Sequence, residues 1–181
     1  MTPLRFLVSD LVDRPGERRV ETGKLELDLR VGESQVTGPA AVEVVLEGID
    51  GGVMARFTAR YRAHLVCNRC LVEWDEAGEV SAVQVYEESP DDDGYALGHD
   101  DTVDLSGPVR DEVALAVPLR PLCRPDCRGL CPTCGSDLNR DPCQGHDEGS
   151  DSPFAVLEGL FADRSSDQST ERSSDRDVSQ S

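Results

Sequence analysis

The sequence predicts an α+β fold, mainly antiparallel β, with two short helices and a small cysteine-rich module. Three observations carry this expectation. Apolar and polar residues alternate with period two through several runs of the first half, as half-buried strands require. Glycine-rich turns separate those runs. Beyond residue 104 the apolar spacing becomes helical, and beyond residue 118 cysteines crowd a segment with few apolar residues.

After a short apolar start, Leu25, Leu27, Leu29 and Val31 alternate with Glu26, Asp28 and Arg30, and Val42, Val44 and Leu46 alternate with Glu43 and Glu47. Turns are expected at Gly32, at Gly38-Pro39 and over Gly48 to Gly52. The clearest strand follows. Val53, Ala55, Phe57, Ala59, Tyr61, Ala63 and Leu65 share one face, and Arg56, Thr58, Arg60, Arg62 and His64 share the other. A turn at Cys67 to Cys70 leads to a returning strand around Val80 to Tyr86, and the acidic stretch from Glu87 to Asp104 reads as a solvated loop.

Ser106 is placed to cap a helix with Pro108 in its first turn, Asp111 and Glu112 near its positive end, and Leu105, Val109, Val113 and Ala116 on one face; Pro118 ends it. Ser152-Pro153 starts a second short helix, with Phe154, Leu157 and Phe161 on one face for docking. Residues 163–181 interleave Ser, Arg and Asp and bury too little to offset the entropy of ordering. The expected organisation is therefore a β-rich body over 1–117 that holds the hairpin, acidic loop and first helix. A cysteine-rich module with the docking helix follows over 118–162, and a disordered tail over 163–181.

The chain has 181 residues, with 36 acidic against 18 basic side chains and a formal net charge of −18. No apolar run approaches the roughly 20 residues of a membrane span, and the start lacks a basic region followed by an apolar stretch of about 7 to 15 residues. The expected location is cytoplasmic. Bulk acidity argues against non-specific attraction to nucleic acid or anionic lipid. The charge is uneven, however: residues 1–72 are neutral, with 10 acidic and 10 basic side chains, while residues 73–104 hold 12 acids and no Lys or Arg.

Seven cysteines in a chain with no export signal read as metal ligands rather than disulfides, and the odd number leaves one unpaired in any full disulfide scheme. Cys67-x2-Cys70 is one pair, and Cys123-x3-Cys127-x3-Cys131-x2-Cys134-x8-Cys143-x2-His146 is a dense second cluster. A C-x2-C turn lets one tight loop give two sulfurs to a tetrahedral Zn²⁺ while backbone N–H groups support them. The small module is thus expected to be a zinc knuckle, structural because protein ligands can fill every position. Cys127, Cys131, Cys134 and Cys143 make a local four, with Cys123 and His146 as substitutes. Alternatively all eight candidates make two sites, Cys67 and Cys70 joining one of them. His146 reads preferentially as a solvated loop histidine, and His64 and His99 as surface residues. A redox Cys67-x2-Cys70 would need the start of a helix, and here the motif lies between strand-like runs.

The order strand, C-x2-C, acidic stretch, Asp104-Leu105-Ser106, helix ending in Ala-Val-Pro-Leu, CRPDCRGLCPTCGSDLNRDPC and Ser-Pro-Phe-Ala-Val-Leu resembles the YceD family of bacteria and plastids over roughly residues 1–161. The resemblance implies a part in accumulation of the large-subunit (23S) ribosomal RNA, through its synthesis, processing or stability, with no established catalytic activity. The family's recurrent C-x2-C matches Cys67 and Cys70, and its optional second cluster matches Cys123, Cys127, Cys131, Cys134 and Cys143. Some relatives keep the first pair and lack the second cluster, which implies that the second can close its own site. Many relatives finish with a close cysteine pair where this chain has Cys143-Gln144-Gly145-His146, and the tail lies outside the pattern.

The leading expectation is a non-enzymatic ribosome-biogenesis factor with one or two structural zinc ions, whose partners are ribosomal RNA or large-subunit assembly components. Arg56, Arg60 and Arg62, with His64 and with Arg69 on the knuckle, form a candidate strip for RNA phosphates. The plainer reading is a solvated strand face paired with the acidic neighbouring strand. An alternative function is an acidic adaptor, in which residues 73–104 meet a basic ribosomal protein or assembly factor. A thiol oxidoreductase acting through Cys67 ranks third.

Overall fold

Sustained alternation makes long strands when each finds a neighbour of equal length, and four such strands build the body. The computed structural model describes residues 3–90, 94–141 and 143–146. Strands β2 (Arg18–Val31), β3 (Ser34–Ile49), β4 (Gly52–Val66) and β5 (Glu73–Glu87) form an antiparallel meander. Strand β6 (Tyr95–Ala96) adds a short parallel edge to β5, giving the order β2-β3-β4-β5-β6. Strand β1 (Arg5–Leu7) pairs antiparallel with β7 (Thr102–Asp104) in a separate ladder. Helix α1 (Ser106–Ala116) follows directly. The chain divides into two units, Met1–Pro142 and Cys143–Ser181, and these elements all belong to the first.

Burial explains the layering. The inward positions of β4 (Val53, Ala55, Phe57, Ala59, Tyr61, Ala63 and Leu65) join Leu25 and Leu27 of β2 and Val42, Val44 and Leu46 of β3 in one core. Leu4, Val8, Leu11, Val103, Leu105, Val109, Val113 and Val117 complete that core. One face of the sheet is thus covered by α1 and the N-terminal segment, and the other faces solvent. The β1–β7 ladder closes with Arg5 Nε to Asp104 Oδ2 at 2.8 Å and Leu105 N to Leu4 O at 2.9 Å.

Several expectations are corrected. Gly38-Pro39 is no turn between strands but an irregularity inside β3, where the register against β4 shifts between Gln35 and Ala41. Gly38 takes φ +96° there, and Pro39 is tolerated because a bulge releases ladder positions. Strand β5 starts at Glu73 rather than near Val80, since β4 offers partners along its whole length, from Gly52↔Glu87 to Val66↔Glu73. The acidic segment 87–104 is not all loop, for it supplies β6 and β7. Ser106 does not cap α1: its Oγ accepts from Leu4 N at 2.8 Å, while Asp104 Oδ1 accepts from Ser106 N at 2.9 Å. Ala116 is exposed, and Val117 is buried in its place.

Among the described residues α1 is the one α-helix. The second helix expected after Ser152 and the tail over 163–181 lie outside those residues. No helix among them is long and apolar enough to cross a membrane.

Candidate metal centre

The β4–β5 hairpin ends in six residues, Cys67 to Val72. Their backbone is tied by Cys67 N to Val72 O at 2.8 Å and Leu71 N to Cys67 O at 3.0 Å, with Leu71 at φ +59°. This tight loop presents Cys67 and Cys70 together. The chain leaving α1 then passes the tip, where Asn68 N donates to Pro121 O at 2.8 Å and Leu130 N to Arg69 O at 3.0 Å. These contacts set Cys123 and Cys127 opposite the first pair. Sulfurs of Cys67 and Cys127 are 3.8 Å apart, those of Cys70 and Cys123 are 3.6 Å apart, and all four lie within 4.8 Å of one another.

That spacing is informative. A disulfide requires about 2.05 Å, whereas a tetrahedral thiolate centre with metal–sulfur bonds of about 2.3 Å has sulfur–sulfur edges of about 3.8 Å. The four cysteines can therefore hold a metal ion. They differ from the expected local four, because Cys127 closes a set with Cys123 and the distant Cys67 and Cys70. This grouping is the one the alternative reading allowed, in which Cys67 and Cys70 join one of the sites. Chain order hid the pairing, since Cys67 and Cys127 are brought together only by the course of the chain after α1.

Supporting groups surround the sulfurs. Arg69 Nη1 donates to Cys127 O at 2.7 Å, and Asn139 Nδ2 lies 3.6 Å from Cys127 Sγ. Asn139 is itself held by Asp137, whose Oδ1 accepts from Asn139 N at 2.9 Å and from Nδ2 at 2.8 Å. Gly129 is required by packing as well as by its φ of +79°, since a Cβ there would lie 3.0 Å from Arg69 O.

Electrostatics make the set cation-seeking. Burial pushes the Cys67 thiol up, but N–H groups of Cys123, Cys70 and Arg69 outweigh it and bring the thiol down to about 6. Burial first, and then the neighbouring thiols of Cys70, Cys127 and Cys67, push Cys123 up to about 12. At Cys70 the Val72 N–H favours the thiolate, yet burial and the Cys67 and Cys127 sulfurs prevail and raise it. One sulfur thus carries charge readily and its neighbours resist a second, a conflict that a bound cation removes. Cys67 is fully buried and no helix starts at the motif, unlike the exposed helix-borne thiol of a disulfide oxidoreductase.

Among the remaining donors, Cys131 is buried, with its N donating to Ser136 O at 2.8 Å, and Cys134 Sγ lies 2.9 Å from Ser136 Oγ. In the second unit His146 Nε2 lies 3.0 Å from Cys143 Sγ, so this histidine is not simply solvated as expected.

The arginine strip is present on the solvent face of β4 but is interleaved with acids of β5. Arg60 Nε meets Glu79 Oε2 at 2.6 Å; His64 Nδ1 meets Asp75 at 3.0 Å and its Nε2 meets Glu73 at 3.3 Å. Arg56 stands between Val45 and Val83, and Arg62 is opposite Ala77. Neither makes an ion pair among the described residues. His64 is raised above its ordinary value, chiefly by its bond to Asp75. Counting outward from the six-residue tip predicts these partners, a signal that strand-by-strand reading passes over.

Together these features define a β-rich protein whose longest hairpin is clamped at its tip to a cysteine-rich segment by a candidate metal centre. The chain belongs to the family described as large ribosomal RNA subunit accumulation protein YceD, whose family model matches residues 55–161, from within β4 onward. An uncharacterized protein of Mycobacterium tuberculosis is 31% identical over 131 residues, covering 68% of this chain and 56% of its own length. An uncharacterized protein of Mycobacterium leprae is 28% identical over 160 residues, covering 81% of this chain and 73% of its own. A chloroplastic YCED homolog 1 of Zea mays, named as a large ribosomal RNA subunit accumulation protein, is 45% identical over 40 residues, 22% of this chain and 14% of its own. The chain thus spans little more than half the length of the tuberculosis relative. No solved structure matches it.

Proposed function

We propose that the protein is a non-enzymatic ribosome-biogenesis factor that supports synthesis, processing or stability of 23S ribosomal RNA in the cytoplasm, with zinc in a structural role. The observation that carries this reading is the tetracysteine set itself. It ties together two segments, the β4–β5 tip and residues 118–141, that both fall inside the span matched to the family. Zinc suits four thiolates in a closed set, because such a site leaves no position for a reacting water. After Cys67, Cys70, Cys123 and Cys127 are used, the sequence still offers Cys131, Cys134, Cys143 and His146, a donor count that suits a second zinc. Native mass spectrometry distinguishes one from two. The test of function is depletion in the native host: the ratio of 23S to 16S RNA should fall and be restored by the wild-type chain, but not by Cys70→Ser with Cys127→Ser. An unchanged ratio refutes the reading.

Two modes of action are compatible with it. Direct RNA binding would use Arg56, Arg62 and Arg69, the strip arginines that form no ion pair among the described residues. The adaptor reading is favoured by the pairing of Arg60 and His64 with β5, which leaves residues 73–104 as the stronger field. Pull-down from nuclease-treated lysate separates the two, since adaptor binding survives removal of RNA.

A further inference from the structure

Strand β5 is fifteen residues long, yet among the described residues a strand pairs with its outer edge only at one end. Beyond it in the sheet lies β6, which pairs only Tyr86↔Tyr95 and Glu87↔Ala96. From Glu73 to Val85 the edge has no strand beside it among the described residues. Alternate residues of an antiparallel strand direct N–H and C=O away from their partner, so about half of these thirteen residues offer an unpaired donor and acceptor to solvent. At roughly 3.3 Å per residue the open edge is about 40 Å long.

Soluble proteins usually blunt such an edge with charge, proline, a bulge or brevity. The open length has no Pro and no break in its register against β4, so charge is its one such device, and that charge is all acidic, with no Lys or Arg. The other edge of the sheet, β2, differs, carrying Arg18, Arg19, Lys24 and Arg30. Glu73, Asp75, Glu76 and Glu79 lie along the β5 edge instead. Acids on both sides would oppose pairing of two copies. They would also repel a phosphate backbone. Val83 and Val85, 48% and 40% exposed, add an apolar hold toward the β6 end.

We infer that β5 is a docking edge for an extended, Lys/Arg-rich segment of another protein, which adds to the sheet as a further strand over Glu73 to Val85. Main-chain hydrogen bonds hold the segment, and alternate side chains select basic character. This deepens the adaptor reading and rests on it, but its test involves no ribosome, so the two fail separately.

The probe is a 13-residue peptide alternating arginine and valine, titrated into the metal-loaded full chain at low ionic strength, beside the same peptide with two central valines changed to proline. Equal charge in the two peptides separates strand addition from simple attraction. The first peptide should bind at least tenfold more tightly and slow hydrogen exchange at alternate amides between residues 73 and 85. Glu76→Lys, at a residue in no ion pair among the described residues, should weaken it about tenfold, the size of two charge changes at about 5 Å in water. Equal binding of the two peptides, unprotected β5 amides, an unaffected Glu76→Lys chain, or displacement of the peptide by a 13-nucleotide oligouridine each overturns the inference.

Discussion

Removing the metal should unfold residues 118–141 while leaving the sheet intact, and the magnitudes decide this. In that segment only Pro121, Cys127, Gly129 and Cys131 are buried, and two of these are thiols. Ordering its 24 residues costs about 24 kcal/mol at roughly 1 kcal/mol each. Three hydrogen bonds tether it to the hairpin tip, and six backbone bonds lie within it; at about 1 kcal/mol net apiece they return about 9 kcal/mol. A structural zinc contributes about 10–16 kcal/mol, which brings the two sides within a few kcal/mol of each other. Without it the deficit is too large for the segment to hold, whereas the core of β2 to β5 and α1 loses nothing directly. Hydrogen exchange read by mass spectrometry, with and without a chelator, is the assay. Protection at Cys131 and Leu138 should vanish in the apo protein and in Cys127→Ala, while the amides of Ala55, Phe57 and Ala59 keep theirs. Persistent protection of 118–141 in the apo protein would refute the claim that a metal holds the segment.

Three further outcomes are expected. The folded state raises His64, so its ion pairs with Asp75 and Glu73 contribute fully below about pH 6.5 and are lost as pH rises through the higher folded value; His64→Gln should flatten the pH dependence of the denaturation midpoint over that window. Gly52→Ala should destabilise the protein by about 2–3 kcal/mol by urea titration, because its Cβ would lie 2.1 Å from Tyr86 O, a backbone atom that cannot swing aside. Changing Arg56, Arg60 and Arg62 to Ser should weaken association with ribosomal RNA and flatten its salt dependence, by about 0.7 in slope for each phosphate no longer neutralised on a single strand; unchanged binding excludes the strip as the RNA-binding surface.

What the sequence made legible was whatever depends on near neighbours. The inward face of β4 was readable to the residue, because alternation from Val53 to Leu65 has no competing period. The Asp50-Gly51 turn and the stop at Pro118 were readable for similar reasons. Gly38-Pro39 misled because the same dipeptide serves a turn or a bulge, and the choice is made by β4 continuing past it. Ser106 misled because its hydroxyl has two suitors, and the tertiary one, Leu4 N, takes it. The candidate metal donors were all nameable in advance, and two groupings of them were open, one local and one that drew in Cys67 and Cys70. Local spacing favours neighbours in sequence, whereas Cys67 and Cys127 meet only after the sheet and α1 have placed the chain.

The hairpin connects the two surfaces in physical terms. Strands β4 and β5 pair without a register break from Gly52↔Glu87 to Val66↔Glu73, and each end is fixed differently. At the first, Tyr86 is buried and its hydroxyl donates to Asp104 O at 2.8 Å. At the other, Val66 leads straight into Cys67, and Glu73 begins one residue after the tight loop that the sulfurs hold. A long two-strand ladder frays from its less anchored end. Loss of the metal should therefore loosen the residues near Glu73, Asp75 and Glu76 first, where the open β5 edge carries most of its acid. On this account a metal held by the four sulfurs would do more than order its own segment, because it would keep the acidic half of the edge straight enough for the proposed strand. The ordering of effects is specific: chelation should raise exchange at Trp74 and Glu76 before Ala82 and Gln84, and should cost a basic peptide its affinity even where the sheet remains folded.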